Sequence, residues 1–235
     1  MTLFHESTFR FSVFPFLAAR SIEIDTDAAL ELIGRSVGRM HAVGARGRFT
    51  HRPTLSVDRL GWQARDKVLN SGIFSRELAD PNLEDKYDEA SESVLSAVAT
   101  RFDLLAPLSS IRLHGDCHLG NLLLNAEGPV FVDLDDCMMG PRMQDLWMLL
   151  SGSEEAQRAQ WQSVLRGYQQ FHDIDPAEVD LIEALRALRM VHQAGWIAER
   201  WEDPAFPRAF PWFTSPRYWQ DHIADLWTQC EQVGG

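Results

Sequence analysis

Polar side chains with catalytic potential are concentrated in one short central segment of the 235-residue chain. The segment reads Leu113-His114-Gly115-Asp116-Cys117-His118-Leu119-Gly120-Asn121, and Asp133 follows twelve residues after Asn121. A carboxylate can orient and deprotonate a hydroxyl group, and carboxylate and amide oxygens are the hard ligands that hold magnesium against phosphates. These residue types meet the requirements of phosphoryl transfer.

The spacing within this segment supports the same chemistry. Asp116 and Asn121 are separated by four residues, and His114 stands two residues before the aspartate. This is the spacing of the H-R-D-x-x-x-x-N catalytic loop of protein kinases. A hairpin after Asn121 would return the chain, so that Asp133, at the end of an apolar strand, faces the same metal ion.

The segment resembles a known family. His114-Gly115-Asp116-x-His118-x-x-Asn121, followed by Asp133, is similar to the aminoglycoside phosphotransferase and choline kinase superfamily, which shares the protein kinase fold. It resembles even more the stress response kinase A group of bacterial Ser/Thr kinases. The further matching segments extend over nearly the whole chain: Gly38–His41, His51–Thr54, Phe131–Asp136, Gln144–Leu150, Asp203–Pro207 and Phe210–Trp212.

The resemblance implies roles for individual residues. Asp116 would be the catalytic base that accepts the proton of the substrate hydroxyl. Asn121 and Asp133 would hold Mg²⁺ on the phosphates of ATP, and Asp133 would also serve catalysis. Asp145, with Trp147 two residues later, resembles the D-x-W helix whose aspartate braces the catalytic loop.

Further expectations concern the nucleotide and the loop. Leu123, two residues after the asparagine, would form the floor of the adenine pocket. The strand ending near Phe14 and Phe16 would be the edge of a hinge whose backbone groups pair with adenine. His114 and His118 are expected to support the catalytic loop rather than to bind a ligand.

Other interpretations of the same residues are weaker. A zinc site from His114, Cys117 and His118 is disfavoured, because closed zinc sites draw their ligands from two separated pairs. A metallophosphoesterase would need an earlier Asp-x-His motif and further histidine ligands, which the sequence lacks. The roles of Asp135 and Asp136 stay open between capping a turn and adjusting the local charge.

Charge and composition restrict the partners. The net charge of −12 argues against nonspecific nucleic-acid binding, and no apolar run approaches the roughly 20 residues of a membrane span. The three cysteines form no C-x-x-C pair, which favours a reducing cytoplasm. We expect a cytoplasmic monomer whose partners are ATP and a protein with Ser/Thr hydroxyls, without nucleic acid or membrane.

Short strands and long helices must position these residues. The alternation of apolar and polar residues predicts a strand over 9–13, after almost no preceding chain, and apolar spacing predicts a helix capped by Asp25 or Thr26 that ends at Gly44. A loop is predicted over 51–80. The other predicted elements are a long helix from Asp80-Pro81, strands over 111–113, 122–124 and 130–132, helices over 142–150, 154–171 and 176–201, an irregular segment over 202–216, and a helix over 215–232.

These elements predict an α+β, protein kinase-like fold that is mainly the helical C-lobe with a small strand patch. The N-lobe is expected to be largely missing, since the sequence has no Gly-rich loop and only two lysines, Lys67 and Lys86. Residues 1–20 would be the last N-lobe strand and hinge, and residues 21–235 the C-lobe with its catalytic loop at 111–136. We favour a start internal to a longer protein over a genuine, catalytically impaired fragment.

The resulting expectation is an ATP- and magnesium-dependent kinase of the stress response type that phosphorylates Ser/Thr hydroxyls. Two alternatives stay open. One is a kinase for a small molecule such as an amino alcohol or an aminoglycoside-like compound. The other is an inactive C-lobe fragment that acts as a binding module.

Overall fold

Helices dominate the computed structural model, which describes residues 3–78 and 80–235. The α-helices are α1 (Asp27–Gly44), α2 (Gln63–Asn70), α3 (Pro81–Leu104), α4 (Met143–Trp147), α5 (Glu154–Tyr168), α6 (Pro176–Val179), α7 (Ile182–Glu199), α8 (Ala205–Ala209) and α9 (Pro216–Gly234). Shorter helical turns are π-helical at Asp58–Trp62 and Ile73–Leu78, and 3₁₀-helical at Leu119–Asn121 and Pro211–Thr214.

Seven short strands form three small antiparallel sheets within the described residues. The strands are β1 (Leu3–Glu6), β2 (Phe9–Ser12), β3 (Arg20–Ser21), β4 (Ile111–Leu113), β5 (Leu122–Asn125), β6 (Gly128–Phe131) and β7 (Met138–Gly140). The sheets pair β1 with β2, β3 with β5 and β6, and β4 with β7. The strands β4 and β7 border the segment between Leu113 and Met138, and β5 and β6 lie within it. This segment contains the predicted catalytic residues.

Helix pairs form most of the core. The residues Leu30, Ile33 and Val37 recur at helical spacing on α1 and are buried, and Thr26 caps this helix through a 3.2 Å hydrogen bond from the Ala29 N–H. Helix α1 packs against α5, α3 against α9, and α2 against α7. The close approach of α1 to α5 requires Gly34, because a Cβ atom there would lie 2.0 Å from the Val164 carbonyl oxygen.

The segment predicted as a loop over 51–80 is largely helical, so that prediction was wrong. It contains α2 and both π-helical turns, and Ala64, Val68 and Phe74 within it are buried. Many charged residues along α2 obscure its short apolar face, and burial against α7 stabilises the helix where the local pattern is weak.

Several predicted boundaries also change. The single helix predicted over 176–201 divides into α6 and α7, and β7 forms where no strand was predicted. The sequence Met-Met-Gly of β7 shows no alternation of apolar and polar residues, unlike Ile-Arg-Leu in β4, and pairing with β4 decides the conformation of β7. The segment over 202–216, which was predicted to be irregular, contains α8 and a 3₁₀ turn. The predicted strand over 111–113 is confirmed.

The amino-terminal strand does not stand alone. Strand β2 pairs with β1 in a hairpin whose register places Phe4 opposite Phe11, which corrects the expectation of a strand with almost nothing before it. The following extended residues lead to β3, which pairs with β5 beside the catalytic loop. Across the ranges 3–78 and 80–235, no helix combines the length and the apolar character needed to cross a bilayer.

Candidate active site

The loop after β4 turns sharply at Gly115. The φ angle of Gly115 is +90°, and a Cβ atom at this position would lie 2.1 Å from the carbonyl oxygen of Asp136. Only glycine tolerates both the left-handed backbone and the close approach. The loop is thereby pressed against the segment that carries Asp133 and Asp136.

Asp145 holds the start of this loop through hydrogen bonds to its backbone. Its Oδ2 atom accepts a 2.8 Å hydrogen bond from the His114 N–H, and its Oδ1 atom accepts a 2.9 Å bond from the Gly115 N–H. Gln144, its neighbour on α4, donates a 2.9 Å bond to the Gly115 carbonyl. Asp145 is completely buried. A buried carboxylate bound by two backbone donors holds the loop in one conformation.

Two further residues extend this buried network, and the sequence did not assign either of them to the site. His41 of α1 lies with Nε2 3.1 Å from Oδ2 of Asp145 and with Nδ1 2.9 Å from the hydroxyl of Tyr168 on α5. Both side chains are fully buried. Two sequence signals pointed to His41: it follows Val37 by four residues on the apolar face of α1, and it ends the matching segment Gly38–His41.

Asp116 lies at the centre of a set of polar contacts. Asn121 donates from Nδ2 to the main-chain oxygen of Asp116 at 2.9 Å and lies 3.4 Å from its Oδ2 atom. His118 Nε2 is 3.5 Å from the same carboxylate, and Arg189 of α7 forms a salt bridge with Oδ1. Sequence reasoning missed Arg189, because 73 residues separate it from Asp116 and no local pattern connects them.

The two histidines of the loop each bind backbone groups. His114 Nε2 lies 2.9 Å from the carbonyl oxygen of Val132, and its ring packs against Phe131. His118 Nδ1 accepts a 2.9 Å hydrogen bond from the Gly120 N–H at the 3₁₀ turn. These contacts connect the loop to β6 and to the turn that precedes β5.

The carboxylates of Asp116, Asp133 and Asp136 line one wall of a groove with a volume of about 270 Å³. Four residues of α7 line the opposite wall: Arg189, His192, Gln193 and Trp196. Partial burial, together with the charges of Asp116 and Asp133, raises the pKa of Asp136. Asp133 has a φ angle of +59°, in the left-handed region that non-glycine residues rarely adopt.

The oxygen donors of Asp133 in this groove and of Asn121 beside it fit a hard cation. The Asn121 amide nitrogen is directed to Asp116, which leaves its carbonyl oxygen for a ligand, and Asp133 offers an exposed carboxylate. The carboxylate and amide oxygens are ligands of the kind that magnesium prefers, and phosphate oxygens would complete its coordination. The described residues contain no group of three His, Cys, Asp or Glu side chains placed to hold a metal ion by themselves.

The residues expected near adenine lie apart from this groove. Leu123 is half-buried on β5, opposite Ser21 of β3. Phe14 and Phe16 lie between β2 and β3 with 69% and 95% of their surfaces exposed. Of the two aspartates left open, Asp136 lines the groove, and Asp135 accepts a hydrogen bond from Arg52 at its main-chain oxygen.

Curated relatives match the chain along almost its entire length. Stress response kinase A of Escherichia coli (strain K12) is 40% identical over 230 residues, which cover 98% of this chain and 68% of that relative. A protein of Salmonella typhimurium (strain LT2) named serine/threonine protein kinase RdoA is 38% identical over 219 residues, covering 93% of this chain and 64% of that relative. The chain thus spans about two thirds of the length of these relatives.

Solved structures share the fold at low sequence identity. A spectinomycin phosphotransferase in complex with ADP and spectinomycin superposes with a TM-score of 0.64 at 15% identity, covering 99% of this chain and 74% of that one. Choline kinase from Cryptosporidium parvum superposes with a TM-score of 0.62 at 14% identity, covering 95% and 72%. These likenesses confirm the protein kinase-like fold. Since the model of the phosphotransferase enzyme family also matches residues 2–182, the chain belongs to that family.

Proposed function

We propose that this protein transfers the terminal phosphoryl group of ATP, with Mg²⁺, to Ser/Thr hydroxyls of a protein. The observation that carries the proposal is the position of Asp116, which faces the groove beside Asp133 and is held by Asn121 and Arg189. Such an arrangement supplies a base next to a metal–phosphate site, as phosphoryl transfer requires.

In this mechanism Asp116 accepts the proton of the attacking hydroxyl. The Arg189 guanidinium orients one oxygen of the carboxylate, and the Asn121 amide binds near the other. Asp145 keeps the loop in place, so the base is preorganised before the substrate arrives. Asn121 and Asp133 would hold Mg²⁺, which supplies neutralisation of phosphate charge when bound.

The relatives support a protein acceptor. One of them is named a serine/threonine protein kinase, at 38% identity, whereas the solved structures named for small-molecule acceptors share 12–18% identity and indicate the fold alone. We therefore favour Ser/Thr hydroxyls over an amino alcohol or an aminoglycoside. A stress-related role, a cytoplasmic location and a monomeric state complete the proposal.

The nucleotide site is part of the same proposal. Residues 1–20 would form the last strand and hinge of an N-lobe, with residues 21–235 as the C-lobe. The adenine ring would then lie against Leu123, and the hinge near Phe14 and Phe16 would pair with its edge. The antiparallel pairing of β3 with β5 supports this, because it brings the end of the proposed hinge beside Leu123.

Binding of nucleotide is tested first by thermal unfolding of the chain with and without Mg-ATP. A ligand that binds only the folded state stabilises it by about 2.7 kcal/mol at a hundredfold excess over Kd. We expect the shift in midpoint to disappear in Asp133→Ala. A shift of equal size in that variant would contradict the assignment of Asp133 to the metal site.

Transfer is then tested with labelled ATP and dephosphorylated casein as a generic protein acceptor. Removal of a general base reduces the rate by about 10²–10⁴-fold, so Asp116→Asn should lose transfer while retaining the Mg-ATP stabilisation. Full transfer by Asp116→Asn would exclude Asp116 as the base. Matched transfer by Asp225→Asn, the same change on an exposed face of α9, serves as the control.

A further inference from the structure

One face of α7 forms the groove wall opposite the catalytic carboxylates. Arg189, His192, Gln193 and Trp196 follow the i, i+3, i+4, i+7 spacing of a single helical face, and all four line the groove. The groove therefore runs along α7, from the Arg189–Asp116 salt bridge towards Trp196. The position of Trp196 at the far end distinguishes the two ends of the groove chemically.

Trp196, Phe206 and Phe210 form what we call the aromatic platform. The ring centroids of Phe206 and Phe210 lie 4.9 Å and 5.9 Å from that of Trp196. The Arg200 guanidinium lies 5.0 Å from the Trp196 ring, and Trp196 is nevertheless 38% exposed. The indole is thus held by three neighbours while part of its surface faces the groove, as expected of a preorganised contact for an apolar group.

The length of the groove determines how many residues of a bound peptide would lie between the acceptor hydroxyl and the aromatic platform. Seven residues separate Arg189 from Trp196, and a helix rises about 1.5 Å per residue, so the platform lies about 10 Å from the catalytic end. An extended peptide advances about 3.3–3.6 Å per residue. A peptide whose hydroxyl reaches Asp116 would therefore bring the side chain of the third residue from it onto the platform.

The α7 wall of the groove offers no unpaired negative charge to a cationic acceptor. None of its four groove-facing residues is acidic, and Arg189 is neutralised by Asp116. Burial and the neighbouring cations lower the pKa of His192 to about 4, so this residue is neutral at pH 7. Glu199, the carboxylate at the end of α7, is paired with Lys67 and Arg200. The wall beyond Arg189 matches a neutral apolar side chain.

We propose that the groove binds an extended Ser/Thr peptide that carries an aromatic or large aliphatic side chain three residues from the acceptor, seated on the aromatic platform. This inference rests on the proposed function and adds a sequence preference to it. It identifies Trp196 as a residue that determines specificity through contact with substrate.

A positional peptide scan tests the inference. The probes are fluorescein-labelled eleven-residue peptides with a central serine, alanine elsewhere, and a single phenylalanine or lysine moved through each flanking position. Binding to the chain in the presence of Mg-ATP is followed by fluorescence anisotropy. We expect phenylalanine three residues from the serine, on one side, to bind about tenfold tighter than the all-alanine peptide.

Two variants separate the contact from general effects. Trp196→Ala should remove the tenfold preference, and Trp196→Phe should retain most of it. Trp227, on α9, is exposed to a similar extent at 40%, so Trp227→Ala is the matched control that should keep the preference. Equal unfolding midpoints for these variants would show that the platform, rather than folding, was altered.

The outcomes distinguish this inference from the function on which it rests. A flat profile across positions, a preference for lysine, or a phenylalanine preference that survives Trp196→Ala would overturn the inference. Tight binding of choline or spectinomycin that Trp196→Ala abolishes would also overturn it, in favour of a small acceptor. Phosphate transfer to the peptides without positional preference would leave the proposed kinase activity standing. Binding that depends on Trp196, without transfer to any peptide, would support the peptide site but contradict the proposed kinase activity.

Discussion

The segment that carries the candidate catalytic loop and the amino-terminal hairpin both contain short antiparallel strands, yet their surroundings are opposite. In the sheet of β4 and β7, Leu113, Met138 and Met139 are buried. In the hairpin of β1 and β2, every residue is exposed, including Phe9 at 73%. The two regions therefore rely on different sources of stability.

The backbone polar groups of the two regions have different partners. Backbone donors of the catalytic loop end on the buried carboxylate of Asp145, which His41 and Tyr168 support in turn. The hairpin depends on its own strand pairing and on contacts such as the stacked rings of Phe4 and Phe11, at 5.6 Å. A two-stranded hairpin is marginally stable by itself in water. Tertiary partners therefore hold the loop, whereas local pairing holds the hairpin.

The sharpest test of this comparison is Asp145→Asn. The amide has nearly the same shape, but only one of its two polar atoms can accept a hydrogen bond, so a buried backbone donor loses its partner. We expect the free energy of unfolding to fall by about 3 kcal/mol, because an unsatisfied buried group bears its full desolvation cost. Urea denaturation measures the loss. Asp225→Asn, an exposed control, should change stability by less than about 0.5 kcal/mol.

Gly115→Ala tests the backbone of the loop. The new methyl group would meet the Asp136 carbonyl oxygen at 2.1 Å, on a backbone with a φ of +90°. We expect a loss of about 2–3 kcal/mol by urea denaturation. Gly128 also has positive φ, at +126°, but faces open space, so Gly128→Ala isolates the backbone strain and should cost about 1 kcal/mol. Equal losses in both variants would show that the loop can move away from Asp136.

The contact between Tyr168 and His41, at the outer end of the buried network, should contribute less to the free energy of unfolding. Tyr168→Phe removes the hydroxyl that lies 2.9 Å from His41, and should cost about 1 kcal/mol of unfolding free energy. Tyr87 provides the matched control, because its buried hydroxyl has no hydrogen-bond partner among the described residues. Tyr87→Phe should therefore be neutral or stabilising. A larger loss in Tyr87→Phe than in Tyr168→Phe would show that the His41 contact contributes little.

The smallest effect is expected near the hairpin. Phe16 is 95% exposed, so Phe16→Ser should alter the free energy of unfolding by less than about 0.5 kcal/mol. Leu104→Ser, at an exposed position of α3, serves as the reference for an apolar surface residue. A loss above 1 kcal/mol in Phe16→Ser alone would break the comparison, since it would show that this segment packs against the folded chain.

Much of the fold was predictable where patterns are long. The helix from Asp80-Pro81 is confirmed, and of the two predicted caps of α1 the structure uses Thr26. The short strand over 111–113 is confirmed as well, because its residues alternate between apolar and polar. Elements such as α2 and β7 were missed, because their side chains show little periodicity and burial against α7 or pairing with β4 decides their state.

The residues of the candidate site likewise include some that the sequence predicted and some that it missed. Asp116, Asn121 and Asp133 could be selected from spacing and residue type, because the loop that carries them is continuous in sequence. Arg189 and His41 could not, since each meets its partner across a long stretch of chain, 73 residues for Arg189 and Asp116 and 104 for His41 and Asp145.

By itself, the amino-acid sequence determined the residue types and spacing of the loop, the family they indicate and the long helices. The tertiary structure alone decided which distant side chains brace Asp145, which cation faces Asp116, and which face of α7 forms the groove. The physical reason is the range of the interactions. Propensity, capping and motif spacing act over a few residues, whereas a buried hydrogen-bond network exists only once packing has excluded water around it.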